Sequence, residues 1–132
     1  MKVKTQVKAK VTNGDFKSLR IDDLVFIYVD EDRAYLNEIS IPKSIAEEII
    51  DSIKAKADSQ RTLRLIYIEY EADLTLEVED YGLRVTQGGR EIFAIVFRED
   101  RAVLLTPKVA YKIKHAESLR ESLRHGVTAY VR

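Results

Sequence analysis

The chain opens on a strict alternation. Lys2, Lys4, Lys8 and Lys10 fall on one side of an extended segment, and Val3, Val7, Ala9 and Val11 on the other. This predicts a strand with one wet face. Asn13-Gly14 is a turn signal, because both residue types accept positive φ. Phe16 to Ile21 is a shorter strand, broken by Asp22-Asp23. Leu24 to Val29 is apolar on both faces and predicts a central strand. Asp30-Glu31-Asp32 predicts a tight turn, and Ala34 to Ser40 a returning strand. The period then changes to that of a helix. Ile45, Ile49, Ile53 and Ala57 form a stripe with Ala46 and Ile50 beside it, so a helix is expected from about Pro42 to Ala57.

The rest of the chain repeats this plan. Leu63 to Tyr70 reads as a strand apolar on both faces, and Leu74, Leu76 and Val78 alternate with Thr75, Glu77 and Glu79. Asp80-Tyr81-Gly82 turns the chain, Leu83 to Thr86 is short, and Gln87-Gly88-Gly89 predicts a hairpin turn. Glu91 to Phe97 is a second central strand, and Ala102 to Leu105 returns. Thr106 reads as the N-cap of a helix opened by Pro107. Val109, Ile113, Ala116, Leu119 and Leu123 lie on its stripe, and Gly126 is its stop. Val127 to Arg132 completes a last strand.

Glu31-Asp32-Arg33-Ala34 returns 68 residues later as Glu99-Asp100-Arg101-Ala102. Each copy follows a β-branched and aromatic run and precedes a Pro-Lys pair, Pro42-Lys43 or Pro107-Lys108. Asp15 to Ile21 also matches Asp80 to Val85. Similarity in a fixed order points to internal duplication. The expected fold is therefore α+β. It has duplicated antiparallel β-sheet-then-helix halves, ββββα twice, at residues 2–57 and 62–125. No linker separates them, so one domain, 1–132, with one shared core and two helices packed together is expected.

Composition narrows the class. The 132 residues are 45% hydrophobic, enough for an ordinary core, and 33% charged with little Gly or Pro, a balance common in thermophile proteins. No apolar run is long enough for a membrane helix and no signal peptide is visible, so a cytoplasmic protein without membrane contact is expected. The absence of cysteine excludes disulfides and thiolate metal sites. Net charge is zero but unevenly spread: residues 1–20 carry six bases and one acid, residues 61–80 two bases and six acids.

Candidate chemistry is sparse. His115 and His125 lack metal-ligand spacing, and there is no serine elbow, thiol nucleophile or dinucleotide fingerprint. No enzyme, metal or cofactor is expected. The Glu-Asp-Arg-Ala copies read as hairpin turns in preference to a paired acidic site. The alternating lysines would track a phosphate backbone; the same pattern also serves as a solvated face, or as protection of an edge strand. Phe26 and Tyr28 share one strand face and Tyr35 lies nearby, where rings either stack on bases or pack in the core. The expected site comprises Lys2, Lys4, Lys8, Lys10, Lys17 and Arg20 for phosphates, with Phe26, Tyr28 and Tyr35 for stacking. The expected function is non-catalytic binding of single-stranded nucleic acid on a basic sheet face. The alternative is a small assembly subunit of a larger complex, without nucleic-acid contact.

Four strands then a helix, repeated, resembles the Whirly family and the related transcriptional positive cofactor four over residues 2–125. The Whirly signature Lys-Gly-Lys-Ala-Ala-Leu is absent, and Lys8-Ala9-Lys10-Val11 is its nearest echo. The resemblance implies a curved antiparallel sheet that binds single-stranded DNA, and helices that hold an oligomer. The charges suggest a route to a homo-oligomer as well. Lys10 and Glu77 occupy matched positions in the two copies; the favoured expectation is that both strands face water separately in a monomer, and the alternative is that the basic strand of one molecule pairs with the acidic strand of another.

Overall fold

The structure, a computed structural model, describes residues 2–55, 62–63, 67–99, 101–114 and 116–128. The first half holds β1 (Val3–Gly14), β2 (Lys17–Ile21), β3 (Val25–Val29), β4 (Ala34–Leu36), β5 (Ile39–Ser40) and α1 (Lys43–Asp51). The second holds β6 (Thr62–Leu63), β7 (Tyr67–Glu79), β8 (Gly82–Gln87), β9 (Arg90–Phe97), β10 (Ala102–Leu105), β11 (Ala110–Ile113) and α2 (Ala116–Thr128). All the strands belong to one antiparallel sheet of order β11-β10-β9-β8-β7-β1-β2-β3-β4-β5, with β6 beside β7. The α+β class is as expected, with five strands and not four leading from the centre of the sheet to each helix.

The centre of that sheet is not where the apolar runs placed it. β1 and β7 pair over their whole length, from Val3 opposite Val78 to Gly14 opposite Tyr67. The two runs expected to be central, β3 and β9, lie two strands out. β2 pairs with β1 only from Ala9 to Asn13, so Lys10 has a strand on both sides and protects no edge, while Lys4 and Lys8 lie where β1 is paired with β7 alone. The acidic strand that pairs with it belongs to the same chain: Lys4 faces Glu77, Lys8 faces Asp73 and Lys10 faces Glu71. The pairing of basic with acidic strand that the sequence allowed as a contact between molecules is therefore made within one.

Alternation decides which side of the sheet is filled. Val7, Ala9, Val11, Leu19, Ile21 and Ile27 point inward and are buried, as are Leu74, Leu76, Val78, Val85 and Ile95 from the other half. Both helices lie on this inner face. Ile45, Ala46, Ile49 and Ile50 of α1 and Leu119 and Leu123 of α2 join the same core. Each such Val, Leu or Ile side chain contributes about 1.5–3 kcal/mol on burial. Among the described residues α1 packs against β2, β3 and β4.

The halves are locked by polar clips. Gln87 at the end of β8 accepts from the Lys54 N–H at 2.9 Å and donates to its carbonyl at 2.7 Å, while Arg90 donates to the Ser52 carbonyl at 2.6 Å. The β8–β9 turn of the second half thus satisfies backbone groups just beyond α1, which would otherwise be orphaned. In the first half Asn37 accepts from the Phe26 N–H at 2.7 Å and donates to the Leu24 carbonyl at 2.9 Å and to Ser122 of α2 at 3.3 Å.

The turns follow their residue types. Asn37 and Glu38 take φ of 47° and 72° between β4 and β5, and Gly88 and Gly89 take 58° and 81° between β8 and β9, the positive-φ pairs that two-residue hairpins require. The first of these splits the strand expected over Ala34–Ser40. The described residues of both Glu-Asp-Arg-Ala copies are closed alike, Asp30 N–H to Arg33 carbonyl at 2.9 Å and Arg98 N–H to Arg101 carbonyl at 2.8 Å, and Asp100 lies outside the described residues.

Other expectations are corrected. Thr106 caps a turn and not a helix: its hydroxyl accepts from the N–H groups of Lys108 and Val109, and the chain turns back as β11. The β-branched and aromatic content of residues 109–113 suits a strand as well as a helical stripe, and pairing with β10 wins. Helix begins only at Ala116 and runs through Gly126 to Thr128, so no strand starts at Val127. Leu63–Tyr70 and Leu74–Val78 are not two successive strands, since Tyr67–Glu79 is continuous. α1 ends at Asp51; Ala57, His115 and residues 129–132 lie outside the described residues.

Candidate nucleic-acid interface

The side of the sheet opposite the helices carries the outward residues of each strand. Lys10 on β1 stands opposite Arg20 on β2, and Arg20 stands opposite Phe26 on β3. One row along, Thr12 faces Ser18, Ser18 faces Tyr28, and Tyr28 faces Tyr35 on β4. Lys10 and Arg20 are exposed, and the three rings are half-buried. Period-two alternation puts these residues outward for the same reason that it puts Leu19, Ile21 and Ile27 inward.

The rings touch one another. Phe26 and Tyr28 have centroids 6.4 Å apart, and Phe16 lies 5.8 Å from Tyr28. The Arg20 guanidinium sits 4.5 Å from the Phe26 centroid, a cation–π contact. Polar bonds from the β3–β4 turn hold the rim. Tyr28 donates to Asp30 at 3.0 Å, and Arg33 donates to the Tyr35 hydroxyl at 3.2 Å. Asp30 also accepts from the N–H groups of Asp32 and Arg33 at 2.8 and 3.0 Å. Those backbone bonds, the Asp32 N–H first, hold the Asp30 carboxyl below its ordinary range. The bond to Asp30 in turn holds the Tyr28 phenol above its own.

The nine expected site residues do not all meet. Lys8, Lys10, Arg20, Phe26, Tyr28 and Tyr35 share one region of the open face. Lys17 points to the inner side, where its ammonium pairs with Asp51 of α1 at 2.9 Å. Its odd position in β2 dictates this, because Leu19 and Ile21 are inward too. Lys2 and Lys4 lie toward the far end of β1, against the acids of β7. Lys2 pairs with Glu77 at 2.5 Å, which raises the ammonium pKa and lowers that of the Glu77 carboxyl. Beside them a shallow pocket opens between Glu77, Glu79, Tyr81, Gly82 and Arg84. Phe16 and Arg33 were missed by the strand-by-strand reading. Phe16 precedes β2, and only the pairing of Lys17 with Val29 brings its ring beside Tyr28.

The acids of β7 border this surface. Glu69, Glu71, Asp73, Glu77 and Glu79 alternate along the strand next to β1 and point to the open face. Among the described residues there is no cluster of three or more His, Cys, Asp or Glu placed to hold a metal ion, and no helix long and apolar enough to cross a membrane. No protein-family model, curated protein or solved structure matches this chain.

Proposed function

We propose that the protein binds single-stranded nucleic acid, without catalysis, on the open sheet face of its first half. The observation that carries this reading is the Phe16–Tyr28–Phe26 ring cluster with Arg20 over it and Lys10 beside it. Unpaired bases offer faces to such rings, and stacking is worth about 1–3 kcal/mol per base. Arg20 and Lys10 then lie within reach of the phosphates that flank a stacked base.

We further propose that the two halves arose by duplication of one sheet-then-helix unit. A shift of 67 residues carries Val7 onto Leu74, which is its own partner in the β1–β7 pair. The same shift carries Lys10, opposite Arg20, onto Glu77, opposite Arg84.

Fluorescence anisotropy with a labelled single-stranded oligonucleotide tests the binding. Phe26→Ala and Tyr28→Ala should each cost about 1–3 kcal/mol of affinity, and Lys10→Gln should reduce the salt slope by about 0.7. Val96→Ala, at the matching place in the second half, should leave affinity unchanged. Absence of binding at low salt overturns the proposal and leaves the assembly-subunit reading of the open face.

A further inference from the structure

The acids on β7 have no part in stacking, yet they stand beside the lysines of β1. On this face four lysines, Lys2, Lys4, Lys8 and Lys10, meet five acids of the adjacent strand. Neighbouring strands lie about 4.8 Å apart, well within a Debye length of about 10 Å at 0.1 M salt. The two columns therefore cancel as seen by a distant phosphate. An ion-paired acid subtracts from the field as fully as a free one.

The rings on β3 are three strand spacings from β7, about 14 Å, where screening removes most of the repulsion. A single strand stacked on Phe26 and Tyr28 keeps its main attraction. A duplex has no such attraction, because its bases are already stacked inside it and the open sheet face offers only charge to its phosphates.

Resting on the single-strand reading above, we infer that Glu69, Glu71 and Asp73 are specificity-determining residues that reject double-stranded nucleic acid by cancelling the lysine column of β1. They hold the nucleic acid to the β2–β3 side of the face. Removing them frees Lys8 for sequence-independent phosphate contact and strengthens the contact of Lys10, and a duplex can use both fully. A single strand already anchored by its bases gains less.

The test compares three full-length proteins, each titrated at about 0.1 M salt with a single-stranded oligonucleotide and with the same sequence as a duplex. They are the unmodified chain, a variant with Glu69→Gln, Glu71→Gln and Asp73→Asn, and a control with Asp23→Asn, Glu31→Gln and Glu99→Gln. The two variants carry the same net charge, but the control removes turn acids outside the column. The β7 variant should gain about tenfold or more in duplex affinity and less than about threefold for the single strand. The control should gain less than about threefold for the duplex. Single-strand binding by the β7 variant also shows that it remains folded. If the unmodified protein binds the single strand but the β7 variant gains no duplex affinity, or the control gains as much, the inference is overturned and the binding face stands. If the unmodified protein binds no single strand, the reading of the face falls, and the inference with it.

Discussion

The two halves agree on the face they bury and differ on the face they show. Inward, Val25 matches Phe93, Ile27 matches Ile95, Ala34 matches Ala102 and Leu36 matches Leu104, all buried and apolar. Outward, Phe26 matches Ala94, which is itself buried, and the half-buried Tyr28 and Tyr35 match the half-buried Val96 and Val103. The charges diverge as well, with Lys10 opposite Arg20 in one half and Glu77 opposite Arg84 in the other. The inner face must fill a shared core at close packing, so its composition is tightly bounded. The outer face has no such duty and is where the halves can specialise. Among the described residues the first half gathers a cluster of rings with a guanidinium over it there, whereas the second half has the single exposed ring of Tyr81 among Glu77, Glu79 and Arg84.

Backbone clearance offers the harshest test of the correspondence. Gly82 takes φ of +155°, and a Cβ built there would lie 2.0 Å from the Ile95 carbonyl oxygen. Its counterpart Ser18 carries a side chain on the equivalent strand opposite Tyr28. Gly82→Ala should cost about 3 kcal/mol or more, because the β8–β9 pairing must shift, while Ser18→Ala should stay within about 1 kcal/mol. Urea denaturation measures both. Equal costs would show that the two hairpins do not differ in this way.

The two amide clips give a smaller contrast. Asn37 makes three hydrogen bonds and holds φ of 47°, which Asn tolerates better than Ala. Asn37→Ala should cost about 2 kcal/mol, and Gln87→Ala, which frees exposed backbone groups at Lys54, about 1 kcal/mol. Reversal of that order would place the tighter lock in the second half.

The smallest effect concerns pH. Asp30 in the first half and Glu77 at the seam both have carboxyls held below the ordinary range. The unfolded chain therefore takes up these protons first. Their contribution is complete above the unfolded carboxylate value, near 4, and is lost as pH falls through the lower folded value. Lys2 is displaced upward, so its contribution is present at neutral pH and fades only as pH rises through its folded value, above the ordinary lysine range. Urea midpoints taken from pH 5 to pH 3 should fall less steeply in Asp30→Asn than in the unmodified protein. An unchanged slope would remove Asp30 from the acid response.

By itself the sequence determined the strand alternation, the Gly88-Gly89 hairpin, the Glu-Asp-Arg-Ala turns, the body of α1, and the sharing of one face by Phe26 and Tyr28. These are local properties: side-chain period, φ tolerance and helical spacing act over a few residues, and each was legible without a partner strand. Tertiary structure alone decided which strands meet. It joined β1 to β7 and so set acids beside the lysines, it turned Lys17 toward Asp51 on α1, and it brought Phe16 against Tyr28. It also settled residues 109–113, where strand and helix patterns both fit, in favour of pairing with β10. Period two says which side chains share a face, but not which face the helices will cover or which strand lies alongside. Those depend on contacts between residues dozens of positions apart, whose energies appear only once the core has formed.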